Sequence, residues 1–142
     1  MLVYCDSSAL LKRVLDEAES EPLDEWLATE IGAGSSLTAS ALAWVEVNRA
    51  IRKRRDLHDP ASWIVHATRA LSGVEELPMS RAVLSLAQRV AGPTLRTLDA
   101  VHLATAILSD ADVVVTYDLR LLQVATEMGL ATIAPGETAP AN

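Results

Sequence analysis

Short apolar runs alternate along the chain with longer stretches in which apolar residues recur at helical spacing. The short runs are typical of strands buried on both faces of a parallel sheet, and the longer stretches are typical of amphipathic helices. Strands are predicted over residues 2–5, 36–38, 74–77, 113–116 and 131–133. Helices are predicted over residues 9–15, 23–31, 40–55, 61–71, 80–90 and 97–109, with a last one running from Asp118 to residue 127. This alternation predicts an α/β fold around a mostly parallel sheet.

The pattern contains no internal repeat and no linker, so a single domain over residues 1–135 is expected. The remaining residues, 136–142, are expected to form a frayed tail. Thr97 is predicted to cap its helix, since threonine is a favoured N-cap residue. Sites in such folds lie beyond the carboxyl ends of the strands, so the residues that follow each strand are the first candidates for function.

Composition narrows the class of protein. Half of the residues are apolar and 22% are charged, as in ordinary soluble globular domains. A single cysteine excludes a disulfide framework and a cysteine-rich zinc site. No apolar run approaches the ~18 residues that a membrane helix needs, and the N-terminus lacks the features of a signal peptide. A cytoplasmic protein is therefore expected.

The charges are unevenly distributed. Nineteen acidic and twelve basic residues give a net charge of −7, which by itself argues against a nucleic-acid partner. However, seven of the acids lie within residues 16–30, and five of the bases lie within residues 49–55. The simplest interpretation of each cluster is a solvated helix face. The whole-chain charge therefore does not decide whether one surface binds phosphates.

Four acids stand apart from these clusters. Asp6 follows the first predicted strand, and Asp118 follows the valine-rich strand, so two parallel strands would bring both carboxylates to one edge of the sheet. Asp99 lies near the start of a helix, and Glu46 is a lone acid in an apolar stretch. Each also has a bland interpretation: helix capping, a favourable interaction with the helix dipole, or, for Glu46, an ion pair with Arg49.

Several acids converging at one edge imply a cation. Two carboxylates about 4 Å apart repel by about 4 kcal/mol at an effective dielectric constant near 20. Carboxylate ligands without histidine or cysteine favour a hard ion, Mg²⁺ or Mn²⁺. Such an ion keeps some of its waters and can activate them against phosphate esters.

The segments around the four acids resemble those of one family. They are YCDSSALLK at 4–12, AWVEV at 43–47, LRTLDAVHLATA at 95–106 and ADVVVTYD at 111–118. In this order over nearly the whole chain, they are similar to a PIN-domain ribonuclease. More narrowly, the chain resembles the VapC-like toxin of a VapBC-type toxin–antitoxin pair.

The resemblance implies an α/β/α sandwich that cleaves RNA endonucleolytically through a metal-activated water. The catalytic carboxylates would be Asp6, Glu46, Asp99 and Asp118. The ligands of Mg²⁺ or Mn²⁺ would be Asp6, Asp99 and Asp118, with Asp6 and Asp99 as the principal ones. Glu46 and Asp118 would complete the acidic pocket, directly or through waters. The hydroxyl groups that orient a water or a carboxylate would be those of Ser7 and Thr116.

The resemblance also implies partners: a VapB-like antitoxin, an RNA substrate and a second copy in a homodimer, with no membrane. Arg49 and Lys53 lie within about 60° of Glu46 on one helix face, so RNA phosphates could follow that stripe to the metal. The alternative is that these bases only complement the helix dipole.

Two competing functions remain. A phosphotransfer receiver or a haloacid-dehalogenase-like phosphatase would need paired acids after the first strand, where this chain has only Asp6. A catalytically silent PIN-like module would act only by binding a partner protein. Two further residues are assigned structural roles: Cys5 is expected in the core, and His102 is expected to be a packed or hydrogen-bonded histidine.

Overall fold

The alternating elements form one parallel sheet covered by helices. The structure, a computed structural model, describes residues 1–90, 92 and 94–137. Its strands are β1 (Leu2–Cys5), β2 (Ser36–Ser40), β3 (Val74–Leu77), β4 (Val113–Val115) and β5 (Thr132–Ile133). Its helices are α1 (Ser7–Lys12), α2 (Ser20–Gly32), α3 (Ala41–Arg52), α4 (Pro60–Leu71), α5 (Arg81–Ala87), α6 (Thr97–Leu108) and α7 (Leu119–Glu127).

The strand order is β3-β2-β1-β4-β5, and all four neighbouring pairs are parallel. The predicted parallel sheet is therefore confirmed. The order runs one way from β1 to β3 and the other way from β4 to β5, so the topology switches between β1 and β4. Open α/β sheets bind their ligands beyond the carboxyl ends of the strands at such a point.

Alternate side chains of β1 enter two separate cores. Val3 and Cys5 pack into a cluster with residues of α1 to α4 on one face of the sheet. Tyr4 points to the opposite face, where it packs with Ala106 of α6 and Val114 of β4. Helices thus cover both faces, and the expected α/β/α sandwich is confirmed. Cys5 is buried and free, as expected.

The sequence misplaced several helix ends. Helix α3 ends at Arg52, three residues early, because the charged residues 53–55 offer no apolar side chain to bury. Arg96, and not Thr97, is the N-cap of α6, and it makes no side-chain capping bond. Thr97 was a wrong prediction because the backbone is still extended at Arg96, which puts threonine inside the first turn.

Of the predicted tail, residues 138–142 lie outside the described part of the chain. Within the described ranges, no helix has both the length and the apolar character needed to cross a membrane.

Candidate metal centre

The four acids lie at or near one edge of the sheet. Asp6 and Asp118 follow the adjacent parallel strands β1 and β4, so both leave the sheet at its carboxyl edge. Helix α6 ends near the start of β4, at the opposite edge of the sheet. The first turn of α6, which carries Asp99, therefore lies at the carboxyl edge. Helix α3 begins directly after β2 and carries Glu46 in its second turn. The parallel topology therefore gathers acids that are far apart in the sequence.

Asp6 is held in place by three hydrogen bonds. Its carboxylate is only 4% exposed. Oδ1 accepts from the Ala9 amide at 3.0 Å and from the Ser8 hydroxyl at 2.6 Å, and Oδ2 accepts from the Thr116 hydroxyl at 2.7 Å. Burial raises the pKa of Asp6, and these bonds, which favour the ionised form, oppose that rise without cancelling it. Asp6 also caps α1, so its capping role is confirmed, and its role as a metal ligand stays a prediction.

Glu46 is tied to the neighbouring helices by one of its two oxygens. Its Oε1 accepts from the Ser7 hydroxyl at 2.6 Å and lies 2.5 Å from Nε2 of His102. Burial disfavours the ionised form, but these hydrogen bonds outweigh it and lower the pKa of Glu46. The suggested ion pair with Arg49 is absent among the described residues, where Arg49 is exposed. Through its hydrogen bond to Oε1, Ser7 orients the carboxylate of Glu46.

Asp118 caps α7 and is connected to Asp6. Its Oδ1 accepts from the amides of Arg120 at 2.9 Å and Leu121 at 3.0 Å. The Thr116 hydroxyl donates to Asp6 and accepts from the Asp118 amide at 3.1 Å. Thr116 is fully buried, so this hydroxyl fixes the spacing of the two acids.

Asp99 differs from the other acids in having a buried oxygen with no partner. Its Oδ2 is the one buried side-chain oxygen or nitrogen within the described residues that lacks a hydrogen bond. Burial raises the pKa of Asp99, and the negative charges of Asp118 and Asp6 raise it further. Leaving a buried polar atom unsatisfied is costly, so an unpaired carboxylate oxygen among other acids indicates a site for a cation.

The residues fit a hard divalent cation that retains water. The four acids offer carboxylate oxygens as ligands, which suits Mg²⁺ or Mn²⁺. In the ranges the structure covers, no three acidic, histidine or cysteine side chains lie close enough together to hold one ion by themselves. Magnesium is ordinarily bound by one or two carboxylates with water at its other positions, so a closed cage of three is not required.

Comparison with known proteins identifies the family of the chain. Residues 3–127 match the PIN domain family. The chain belongs to the PIN-domain family. It is 36% identical over 137 residues to Ribonuclease VapC47 of Mycobacterium tuberculosis, covering 95% of this chain and 98% of that protein. It is 35% identical over 142 residues to Ribonuclease VapC35 of the same species, covering 96% of this chain and 98% of that protein.

Solved structures show the same fold. The crystal structure of VapBC2 from Rickettsia felis, bound to a DNA fragment from its promoter, superposes on this PIN domain with a TM-score of 0.73. The alignment covers 94% of this chain and 98% of that one, at 12% sequence identity. At that identity the likeness shows the fold alone.

The sequence did not predict the hydrogen-bond partners of two residues of this PIN domain that lie beside the acids. His102 was expected to be a hydrogen-bonded histidine, and its partner proves to be Glu46. Tyr4 received no role, yet its hydroxyl lies 2.8 Å from the other ring nitrogen of His102. The available signal was the position of His102 one turn after Asp99, which puts both on one helix face.

Basic side chains flank the acids on two sides of the PIN domain. A cleft of about 480 Å³ adjoins Asp118, and its walls are Arg96, Tyr117, Asp118, Leu119, Arg120 and Gln123. Both of its arginines are exposed. Arg49 and Lys53 are also exposed, but Lys53 lies seven residues beyond Glu46, about 10 Å further from the edge along α3.

Proposed function

We propose that this chain is a divalent-metal-dependent endoribonuclease and the toxin of a type II VapBC-type pair. The observation that carries the proposal is the unpaired, buried Oδ2 of Asp99 beside Asp6 and Asp118 at the switch point of the sheet. RNA as the substrate is supported by relatives that are named Ribonuclease VapC and that align over nearly the whole chain.

The reaction is hydrolysis of a phosphodiester: a water oxygen bonds to phosphorus as that water loses a proton, one P–O bond breaks, and the leaving oxygen takes up a proton from solvent to become a hydroxyl. Bound Mg²⁺ or Mn²⁺ would supply positive charge beside the phosphate and lower the pKa of a water molecule. Asp6, Asp99 and Asp118 would hold the ion, one or two of them directly and the rest through its waters. Glu46, kept ionised by its two hydrogen bonds, would accept the proton or orient the water through Oε2.

The proposal extends to partners and location. A VapB-like antitoxin would bind and inhibit the chain, which would act in the cytoplasm as a homodimer. An antitoxin arginine could form paired hydrogen bonds with carboxylates of the site and so compete with the metal. If bound antitoxin left both metal affinity and cleavage unchanged, this mode of inhibition would be wrong.

The decisive experiment is an RNA cleavage assay with protein purified free of antitoxin. Total cellular RNA is incubated with Mg²⁺, with Mn²⁺ and with EDTA, and Asp99→Asn serves as the matched inactive control. We expect cleavage by the wild type with metal, and none with EDTA. Absence of cleavage with either metal would favour the catalytically silent module that only binds a partner.

We further propose that RNA phosphates run along α3 over Arg49 and Lys53. The test is RNA affinity across a salt series in the Asp99→Asn background, which prevents cleavage. Replacing both residues with alanine should reduce the salt slope by about 1.4, since each phosphate contact with a single strand contributes about 0.7.

The cleft residues Arg96 and Arg120 provide the matched comparison for that test. The same double alanine replacement there removes two positive charges at a different side of the site. An unchanged slope in the α3 variant, together with a reduced slope in the cleft variant, would contradict the proposed path and move the RNA to the cleft.

A further inference from the structure

A chain of hydrogen bonds links the end of β2 to the carboxylate of Glu46. The Ser40 amide lies 3.3 Å from the Tyr4 hydroxyl, which lies 2.8 Å from Nδ1 of His102. Nε2 of His102 lies 2.5 Å from Oε1 of Glu46, which also accepts from the Ser7 hydroxyl at 2.6 Å. Tyr4 is fully buried and His102 is 3% exposed, so these two side chains belong to the core and not to the surface.

The amide at one end gives this chain of bonds a direction. A backbone N–H can only donate, so the oxygen of Tyr4 accepts from Ser40. With an amide proton already on its oxygen, the Tyr4 hydroxyl donates its own proton to Nδ1 of His102 at 2.8 Å, its other hydrogen-bond partner among the described residues. A neutral imidazole that accepts at Nδ1 carries its proton on Nε2. That proton faces Glu46.

The two oxygens of Glu46 consequently have different surroundings. Oε1 receives two donors, from His102 and Ser7. Oε2 accepts no hydrogen bond from the described residues, and it is not among the buried unsatisfied atoms, so it is open to solvent. One oxygen fixes the carboxylate, and the other is available at the edge of the sheet.

We propose that His102, backed by Tyr4, is a positioning residue: it holds Oε1 of Glu46 so that Oε2 is the oxygen presented to the reaction. The role rests on the ribonuclease function proposed above and assigns His102 no contact with RNA or metal. It resembles the way in which outer hydrogen-bond partners orient the ligands of metal sites, where their loss typically costs 10- to 100-fold in metal affinity or activity.

The test compares two replacements of nearly equal shape. Glutamine can donate an N–H near the place of Nε2, whereas methionine has the same length and no donor. In the full chain, we expect His102→Met to lower kcat by about 10- to 100-fold with little change in KM, because the lost interaction acts on the reacting groups. We expect His102→Gln to recover most of kcat.

A control variant separates positioning from core packing. Leu103→Val removes a methylene from a fully buried neighbour on the same helix. It should lower the melting temperature while leaving kcat unchanged. Wild-type kcat in His102→Met would overturn the proposal. So would equal losses in His102→Met and His102→Gln, since those would indicate a purely structural histidine.

A second readout does not depend on cleavage. In metal-free protein labelled with ¹⁵N-histidine, the imidazole signal that disappears in His102→Gln should show a proton on Nε2 and none on Nδ1. A proton on Nδ1 would overturn the assigned direction. If the wild type cleaved no RNA, the proposed function would fail, while this spectrum would still decide how Tyr4 and His102 hold Glu46.

Discussion

Asp6 and Asp99 lie at the same edge of the sheet, but the protein treats them differently. Asp6 accepts hydrogen bonds from an amide and two hydroxyl groups. Asp99 has a buried oxygen that accepts none within the described part of the chain. The chain thus compensates part of the charge of Asp6 with its own donors. Under the proposed function, an external cation would compensate the charge of Asp99.

The largest effect we expect concerns cleavage, and here the two acids should behave alike. Asp6→Asn and Asp99→Asn each remove a carboxylate from a site with few protein ligands. A metal supplies several kcal/mol of charge stabilisation in such reactions, so about 10³-fold should be lost from the rate. The measurement is single-turnover cleavage of RNA with saturating Mg²⁺ or Mn²⁺. Either variant cleaving within tenfold of the wild type would contradict its assignment as a ligand.

Stability without metal should separate the two acids. Hydrogen bonds to charged groups are worth about 1.5–3 kcal/mol each, and asparagine at position 6 would set an NH₂ group against donors. Asparagine also removes a buried charge, whose burial raises the pKa of Asp6, and this gain offsets part of the loss. We therefore expect Asp6→Asn to lower the free energy of unfolding by only about 1.5 kcal/mol. Urea unfolding in EDTA measures it.

Thr116→Val provides a graded control for that measurement. It removes one of the three donors to Asp6 while nearly keeping the shape of the side chain. Its loss of stability should be smaller than that of Asp6→Asn. Equal stability of Asp6→Asn and the wild type would show that the donors around Asp6 do not compensate its charge.

The sequence predicted which acids lie at the carboxyl edge of the sheet better than it predicted the hydrogen bonds that hold them. Asp6 and Asp118 could be placed because the carboxyl ends of parallel strands meet at one edge, whatever the details of packing. The contact between Thr116 and Asp6 spans 110 residues, and that between Tyr4 and His102 spans 98. Such contacts depend on which way each side chain turns in the packed core, and periodicity along the chain carries no information about that.

The local errors have a related origin. Thr97 is a favourable capping residue by type, but the chain enters α6 with an extended backbone at Arg96, which tertiary packing imposes. Glu46 and Arg49 share a helix face, so an ion pair was a reasonable expectation. The structure satisfies Glu46 with His102, 56 residues away, because a buried donor stabilises a partly buried carboxylate better than an exposed arginine does.

The smallest effect we expect is a gain of stability in Asp99→Asn without metal. The folded pKa of Asp99 is raised above its ordinary value of 3.8, so the folded state binds its proton more tightly than the unfolded state. Stability linked to this group therefore falls as pH rises from about 3.8 through the folded pKa. Asparagine cannot ionise, so the free energy of unfolding of the variant should not decrease for this reason as the pH rises.

Urea unfolding of the wild type and Asp99→Asn in EDTA, from pH 3 to 8, measures this difference. The difference in the free energy of unfolding should grow as the pH rises through that window and then level off at neutral pH. Its size there should be about 1 kcal/mol, the energy by which two charges about 4 Å apart repel in water. Adding Mg²⁺ should reverse its sign, because an ion that binds only the folded wild type stabilises it by mass action. A difference that is independent of both pH and Mg²⁺ would mean that the unpaired oxygen of Asp99 carries no uncompensated charge, and the contrast with Asp6 would then disappear.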